Sequence, residues 1–93
     1  MSNRASAIVT IVNRLGLHAR PAMTFVERAM EHEASVKVRR VDHNEFVDGK
    51  SIMQMMMLAA TEGTRIEIVA EGADAEKMVQ ALVLLVESRF DEE

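Results

Sequence analysis

No cysteine occurs among the 93 residues, which excludes disulfides and thiolate metal sites and is compatible with a reducing compartment. Tryptophan and tyrosine are also absent, so there is no set of aromatics on which nucleic-acid bases could stack. Positive charge is in deficit: 11 Lys and Arg face 15 Asp and Glu, a formal net charge of −4. Non-specific nucleic-acid binding needs a basic footprint, and this balance disfavours it. Long hydrophobic runs are missing too. The longest, MVQALVLLV (78–86), is amphipathic and well short of the roughly 20 residues that span a bilayer. The N-terminal MSNRASAIVTIVN lacks the long apolar stretch and small-residue cleavage site of a signal peptide. The expectation is a cytoplasmic protein with no membrane insertion. At this size and acidity it is expected to be a monomer.

A chain of this length makes one domain, taken as residues 1–93, with one modest core. Ala7 to Asn13 (AIVTIVN) is rich in β-branched residues, apolar on both faces, and predicts a strand. From Ala19 to about His32 the spacing turns helical: Ala22, Phe25, Val26, Ala29 and Met30 fall at i, i+3, i+4, i+7 and i+8. The single proline, Pro21, fits only the first turn, where its missing N–H forfeits no helical bond. Ser35 to Val41 alternates like a half-buried strand. DHN (42–44) and DGK (48–50) are turn signals around a short EFV strand (45–47). Ser51 is a plausible N-cap for a helix to about Ala59 or Ala60, with Gly63 as its stop signal. Arg65 to Ala70 alternates as another strand. Asp74 can cap a last helix running to about Phe90, with Met78, Leu82, Leu85 and Val86 on its inward stripe, and DEE (91–93) reads as a solvated tail. The order βαββαβα predicts one sheet with helices on one face, an α+β two-layer domain.

The chemistry concentrates at RLGLHARPAMTF (14–25). A lone histidine near a helix start is ordinarily a cap or a surface residue. Three details point further for His18. It stands at a helix N-terminus, where unpaired N–H groups and the dipole attract anions. Arg20, two residues on, carries a forked positive charge suited to phosphate oxygens. Gly16 and Pro21 fix the backbone on either side. A helix N-terminus also disfavours an imidazolium, so the ring is expected to be neutral and nucleophilic. This suits a histidine that accepts a phosphoryl group and gives it away.

The donor is not expected to be ATP, which needs a phosphate cradle and magnesium ligands. NEFVDGKS (44–51) ends like a P-loop in Gly49-Lys50-Ser51, but Asn44 stands where the first glycine belongs, and the match is rejected. No second general acid or base accompanies His18, so an enzyme in the ordinary sense is not expected. His32 and His43 show no ligand spacing, and neither a metal nor a cofactor is expected.

GLHARPA (16–22) strongly resembles the active-site signature of the HPr family, the histidine-containing phosphocarriers of the bacterial phosphoenolpyruvate-dependent phosphotransferase system. KSIMQMMML (50–58) resembles that family's regulatory-serine segment, and EGADAEKMVQAL (71–82) its last turn and helix. The resemblance covers nearly the whole chain. It implies an open-faced sandwich, a four-stranded antiparallel sheet of order 1-4-2-3 with three helices on one side. It implies that enzyme I phosphorylates His18 on Nδ1 and that an EIIA domain then receives the group. Arg20 and the backbone N–H groups of Ala19 and Arg20 would hold the phosphoryl oxygens. In some bacteria an HPr kinase/phosphorylase modifies the serine that corresponds to Ser51. By itself, the N-capping role explains that serine.

Eight methionines are present, four of them within Met53 to Met57. Met55 and Leu58 are expected inside. One short helix cannot bury all the others, and exposed methionine makes a soft contact surface. Met23, Ile52, Met53 and Met56, with Met57 beside them, are the expected docking patch, and Arg14, Arg20, Arg28 and Lys50 a basic rim. Two other functions fit the same residues. One is a nitrogen-related regulatory phosphorelay with the same histidine chemistry. The other is a domain that regulates by binding alone, against which the retained His18 argues.

Overall fold

The computed structural model describes residues 3–91. Four strands alternate inward and outward side chains: β1 (Arg4–Thr10), β2 (Ser35–Arg40), β3 (Val47–Asp48) and β4 (Arg65–Glu71). They form one antiparallel sheet in the order β1-β4-β2-β3. Ala5, Ala7 and Val9 of β1 stand opposite Ala70, Ile68 and Ile66 of the central strand. Ala70 and Ile68 in turn oppose Val36 and Val38 of β2. These side chains share a face because the strand repeat is two residues. Three helices cover that face: α1 (Ala19–Met30), α2 (Ile52–Met57) and α3 (Ala75–Glu87). Phe25, Met55, Met78, Leu82, Leu85 and Val86 close the core from the helical layer. The other face is open. There Arg39 bonds Glu67, its cross-strand neighbour, at 2.7 Å and lies over the Phe46 ring. The expected fold class, topology and open-faced layering are those found.

Several boundaries differ from expectation. β1 starts three residues earlier than Ala7 and stops at Thr10, because β4 pairs with all of Arg4–Thr10. Ile11 to Asn13 leave the ladder for the loop before α1, although Ile11 still exchanges backbone bonds with Thr64 and Gly63. Nor is β1 buried on both of its apolar faces: Ile8, on the open side, is 49% exposed. α1 ends at Met30 rather than about His32, and Met30 is exposed. At about 100° per residue Met30 falls at the edge of the stripe through Ala22, Val26 and Ala29, beside Met23. The EFV strand shrinks to Val47–Asp48.

α2 is shorter than expected, and Gly63 does not end it. Ala59 turns into the left-handed region with φ +52, and Gly63 lies in the following turn. Asp74 occupies the N-cap of α3, but its carboxylate accepts from Glu33 N (3.0 Å) and Ala34 N (2.8 Å). It thus ties the α1–β2 loop to the start of α3. Those backbone donors hold Asp74 below the ordinary carboxylate range. α3 ends at Glu87, and a turn at Arg89–Asp91 with left-handed backbone folds the buried Phe90 against the core.

Candidate functional site

Sequence dictates the site through a loop braced at both ends. The Asn13 side chain, 3% exposed, donates to Gly16 O at 2.8 Å, and Gly16 N donates back to Asn13 O at 3.2 Å. This closes a tight asparagine turn. Gly16 has φ +70, and a Cβ there would meet Ala60 O at 2.4 Å and Thr61 Cα at 2.8 Å. Only glycine permits that approach. Next along the chain, Leu17 N donates to Ala60 O at 2.9 Å, and its side chain is sunk in the core. His18 follows directly, so its backbone is pinned on the N-terminal side by the segment after α2.

On its C-terminal side His18 is the N-cap of α1, with extended backbone, and its carbonyl accepts from Ala22 N at 3.0 Å. Ala19 and Arg20 open the helix and are exposed, while Pro21 is buried in the first turn. The first N–H groups of a helix have no partner within it. The first turn of α1 carries no acidic residue, so the positive end of its dipole is not offset locally. His18 itself is half-buried, and its Nε2 is shut off from solvent. The arrangement can hold an anion beside one imidazole nitrogen, with a guanidinium within the same helical turn.

Ser51 is the N-cap of α2, and its hydroxyl accepts from Gln54 N at 3.2 Å. Gln54 reaches back to accept from Asp48 N at 2.9 Å, a variant of the capping box. α2 packs beside α1 in the opposite direction. Its C-terminal end is tied to the His18 loop through Ala60 and its N-terminal end to the end of α1, where Lys50 Nζ donates to His32 O at 2.9 Å. Lys50 is therefore turned inward along that seam rather than standing in a basic rim. Arg28 faces Glu31 and Asp91, each at 3.9 Å, so Arg14 and Arg20 remain as the exposed part of the rim.

Met23, Ile52, Met53 and Met56 are all exposed large apolar residues, and so are Met57 and Leu15. Met55 and Leu58 are buried as expected. Three features escaped the sequence reading. Asn13 braces the loop, and the asparagine three residues before a glycine was its signal. Leu15, 72% exposed beside the site, gave none. Arg40 pairs with both Asp42 oxygens at 3.2 Å and also reaches Leu58 O and Ala59 O at 3.5 and 3.4 Å. It thereby sits at the negative end of α2 and holds the Asp42 carboxyl below its ordinary range. Among the described residues no group of three or more His, Asp or Glu could hold a metal ion, and no helix is long and apolar enough to cross a membrane.

The family model described as "PTS HPr component phosphorylation site" matches residues 5–88. The chain is 48% identical over 84 residues to the phosphocarrier protein HPr of Pseudomonas aeruginosa, covering 90% of this chain and 92% of that one. It is 38% identical over 85 residues to the phosphocarrier protein NPr of Proteus mirabilis, covering 91% and 93%. Among solved structures, HPr from Thermoanaerobacter tengcongensis superposes with a TM-score of 0.89 at 40% identity, over 96% of this chain and 98% of that one.

Proposed function

The chain belongs to the HPr family of the phosphotransferase system, carriers rather than enzymes, and from that premise we propose that His18 is its phosphoryl acceptor. The Nδ1 lone pair attacks the phosphorus presented by enzyme I. The N–P bond forms as the bond to the donor atom breaks, and the donor keeps that electron pair. The same exchange then runs in the forward direction onto an EIIA domain. Arg20 and the N–H groups of Ala19 and Arg20 hold the phosphoryl oxygens, where a forked cation and a helix N-terminus act together. The single observation that carries this reading is His18 as N-cap of α1 with Nε2 shielded from solvent.

Docking is assigned to Met23, Ile52, Met53 and Met56 on the paired helices, with Met57 adjoining. Ser51 is the regulatory residue, open to an HPr kinase/phosphorylase. A phosphate there sits at a helix N-terminus, which tolerates it, while adding charge beside the docking face. The protein works in the cytoplasm as a monomer. Its greater likeness to the HPr relative than to the NPr relative supports the sugar branch. The NPr match favours a second reading, the nitrogen-type relay with the same His18 chemistry.

The test is intact mass after incubation with enzyme I and phosphoenolpyruvate, beside His18→Ala. One acid-labile phosphate on the native protein and none on the variant is the expected result. Uptake from a nitrogen-type enzyme I alone would select the second reading. Uptake from neither would remove the carrier role.

A further inference from the structure

Six residues form α2, and four of them are methionine. At about 100° per residue, Met53, Met56 and Met57 occupy i, i+3 and i+4 and share one face. They are 78%, 43% and 75% exposed, whereas Met55, on the opposite face, is fully buried. Leucine would supply a similar apolar area there with equal helix preference and no sulfur. Three thioethers thus stand open on the surface that adjoins His18 through Ala60.

We propose that Met53, Met56 and Met57 are a modification site for hydroperoxides, whose oxidation to sulfoxides withdraws the carrier from its partners. The proposal rests on the docking reading above. A sulfur lone pair attacks the distal oxygen of a hydroperoxide. The S–O bond forms, the O–O bond breaks, and the peroxide is reduced to water or an alcohol while the thioether becomes a sulfoxide. A dithiol-dependent sulfoxide reductase reverses it, oxidising two thiols to a disulfide and releasing water. The product is polar and chiral, so each sulfoxide buried in a complex without a donor weakens that complex by about tenfold. The core escapes, because Met55 and Met78 are fully buried.

The probe is hydrogen peroxide on the folded full chain, with oxidation mapped by peptide mass and fold followed by circular dichroism. Transfer from enzyme I is measured as kcat/KM, and each protein is compared with its own untreated sample. The expected result is oxidation of Met53, Met56 and Met57 before Met55 and Met78. Native kcat/KM should fall about tenfold or more with the fold intact, and recover under methionine sulfoxide reductases. Treated Met53→Leu/Met56→Leu/Met57→Leu, which keeps only Met23 of the docking face oxidisable, should lose clearly less of its own baseline than the native protein does. Full kcat/KM with the three sites oxidised overturns the proposal. So does an equal loss in the leucine variant, or loss only as Met55 oxidises and the fold melts. Met53→Glu separates the two readings. If it transfers like the native protein, the docking assignment itself fails. If it is impaired while the sulfoxide protein is not, only the oxidation proposal fails.

Discussion

Replacing Gly16 with alanine tests the brace behind His18, the proposed acceptor. Two penalties add. The first is conformational: φ is +70, and the left-handed region costs a Cβ-bearing residue about 1–2 kcal/mol. The lower chain entropy of unfolded alanine returns about 0.4–1 kcal/mol of that. The second is steric. The new Cβ would lie 2.4 Å from Ala60 O and 2.8 Å from Thr61 Cα, both backbone, so the segment after α2 has to move. Moving it breaks Leu17 N to Ala60 O, about 1 kcal/mol, and disturbs the buried Leu58 and Ala60. Together these come to about 1–3 kcal/mol before any cost at Leu58 and Ala60, a fall in Tm of roughly 5–20 °C for a domain of this size.

Gly63→Ala provides the comparison. Its φ is +91, yet a Cβ there meets nothing within 4 Å, so only the conformational term remains, about 1 kcal/mol. Thermal unfolding of the two variants isolates the steric term by difference. Phosphoryl uptake at a temperature where both are folded should fall for Gly16→Ala alone. Equal Tm values for the two would refute the claim that Ala60 braces the site.

Three further outcomes are expected. Ala59 has φ +52, and Ala59→Gly exchanges a penalty of about 1–2 kcal/mol for about 0.4–1 kcal/mol of added unfolded-state entropy; urea unfolding should show a small gain, and a loss would count against strain at this position. Ser51→Ala removes the oxygen that caps Gln54 N and should cost about 1 kcal/mol. Ser51→Asp should keep the cap yet slow phosphorylation by enzyme I, and unchanged rates would remove the regulatory role. Asp74 titrates below its ordinary range in the fold because Glu33 N and Ala34 N donate to it. Its stabilisation is therefore complete above the unfolded pKa of about 4 and is lost as pH falls through the lower folded value. Asp74→Asn should flatten that part of the acid stability profile, and profiles of identical slope would contradict the assignment.

Periodicity made the helices and central strands legible, because the inward residues of α1, α3, β2 and β4 repeat cleanly. It failed at termini, where other physics decides. Arg4 to Ser6 carry little strand preference, yet they pair because β4 is long enough to hold them. Met30 keeps helical spacing and still lies at the edge of the stripe. Gly63 was the natural stop signal for α2, but Ala59 makes the turn, stiffly, within reach of Arg40. Asp74 was legible as a cap by type, while its carboxylate serves a loop 40 residues away, a contact no local pattern encodes. At the site, His18, Arg20 and Pro21 could be read from their order along one helix start. The brace of Asn13 and Ala60 could not, because half of it comes from the far end of another helix.

The same far-end contact joins the proposed acceptor to the proposed docking face. The segment Leu58 to Thr61 belongs to both. Its carbonyls receive Arg40 at Leu58 and Ala59 and Leu17 N at Ala60, so it links the end of the methionine helix to the residue before His18. Ala59 stores backbone strain within it, and strain persists only where surrounding contacts over-determine it. Here those contacts are the Gly16 approach on one side and the Arg40 guanidinium on the other. On the proposed docking reading, a partner pressing on Met53, Met56 and Met57 bears on a helix whose end is fixed to the loop before His18, not on an independent patch. Such rigidity suits the proposed transfer at His18, which needs the ring in one position relative to whatever surface is proposed to seat on α2.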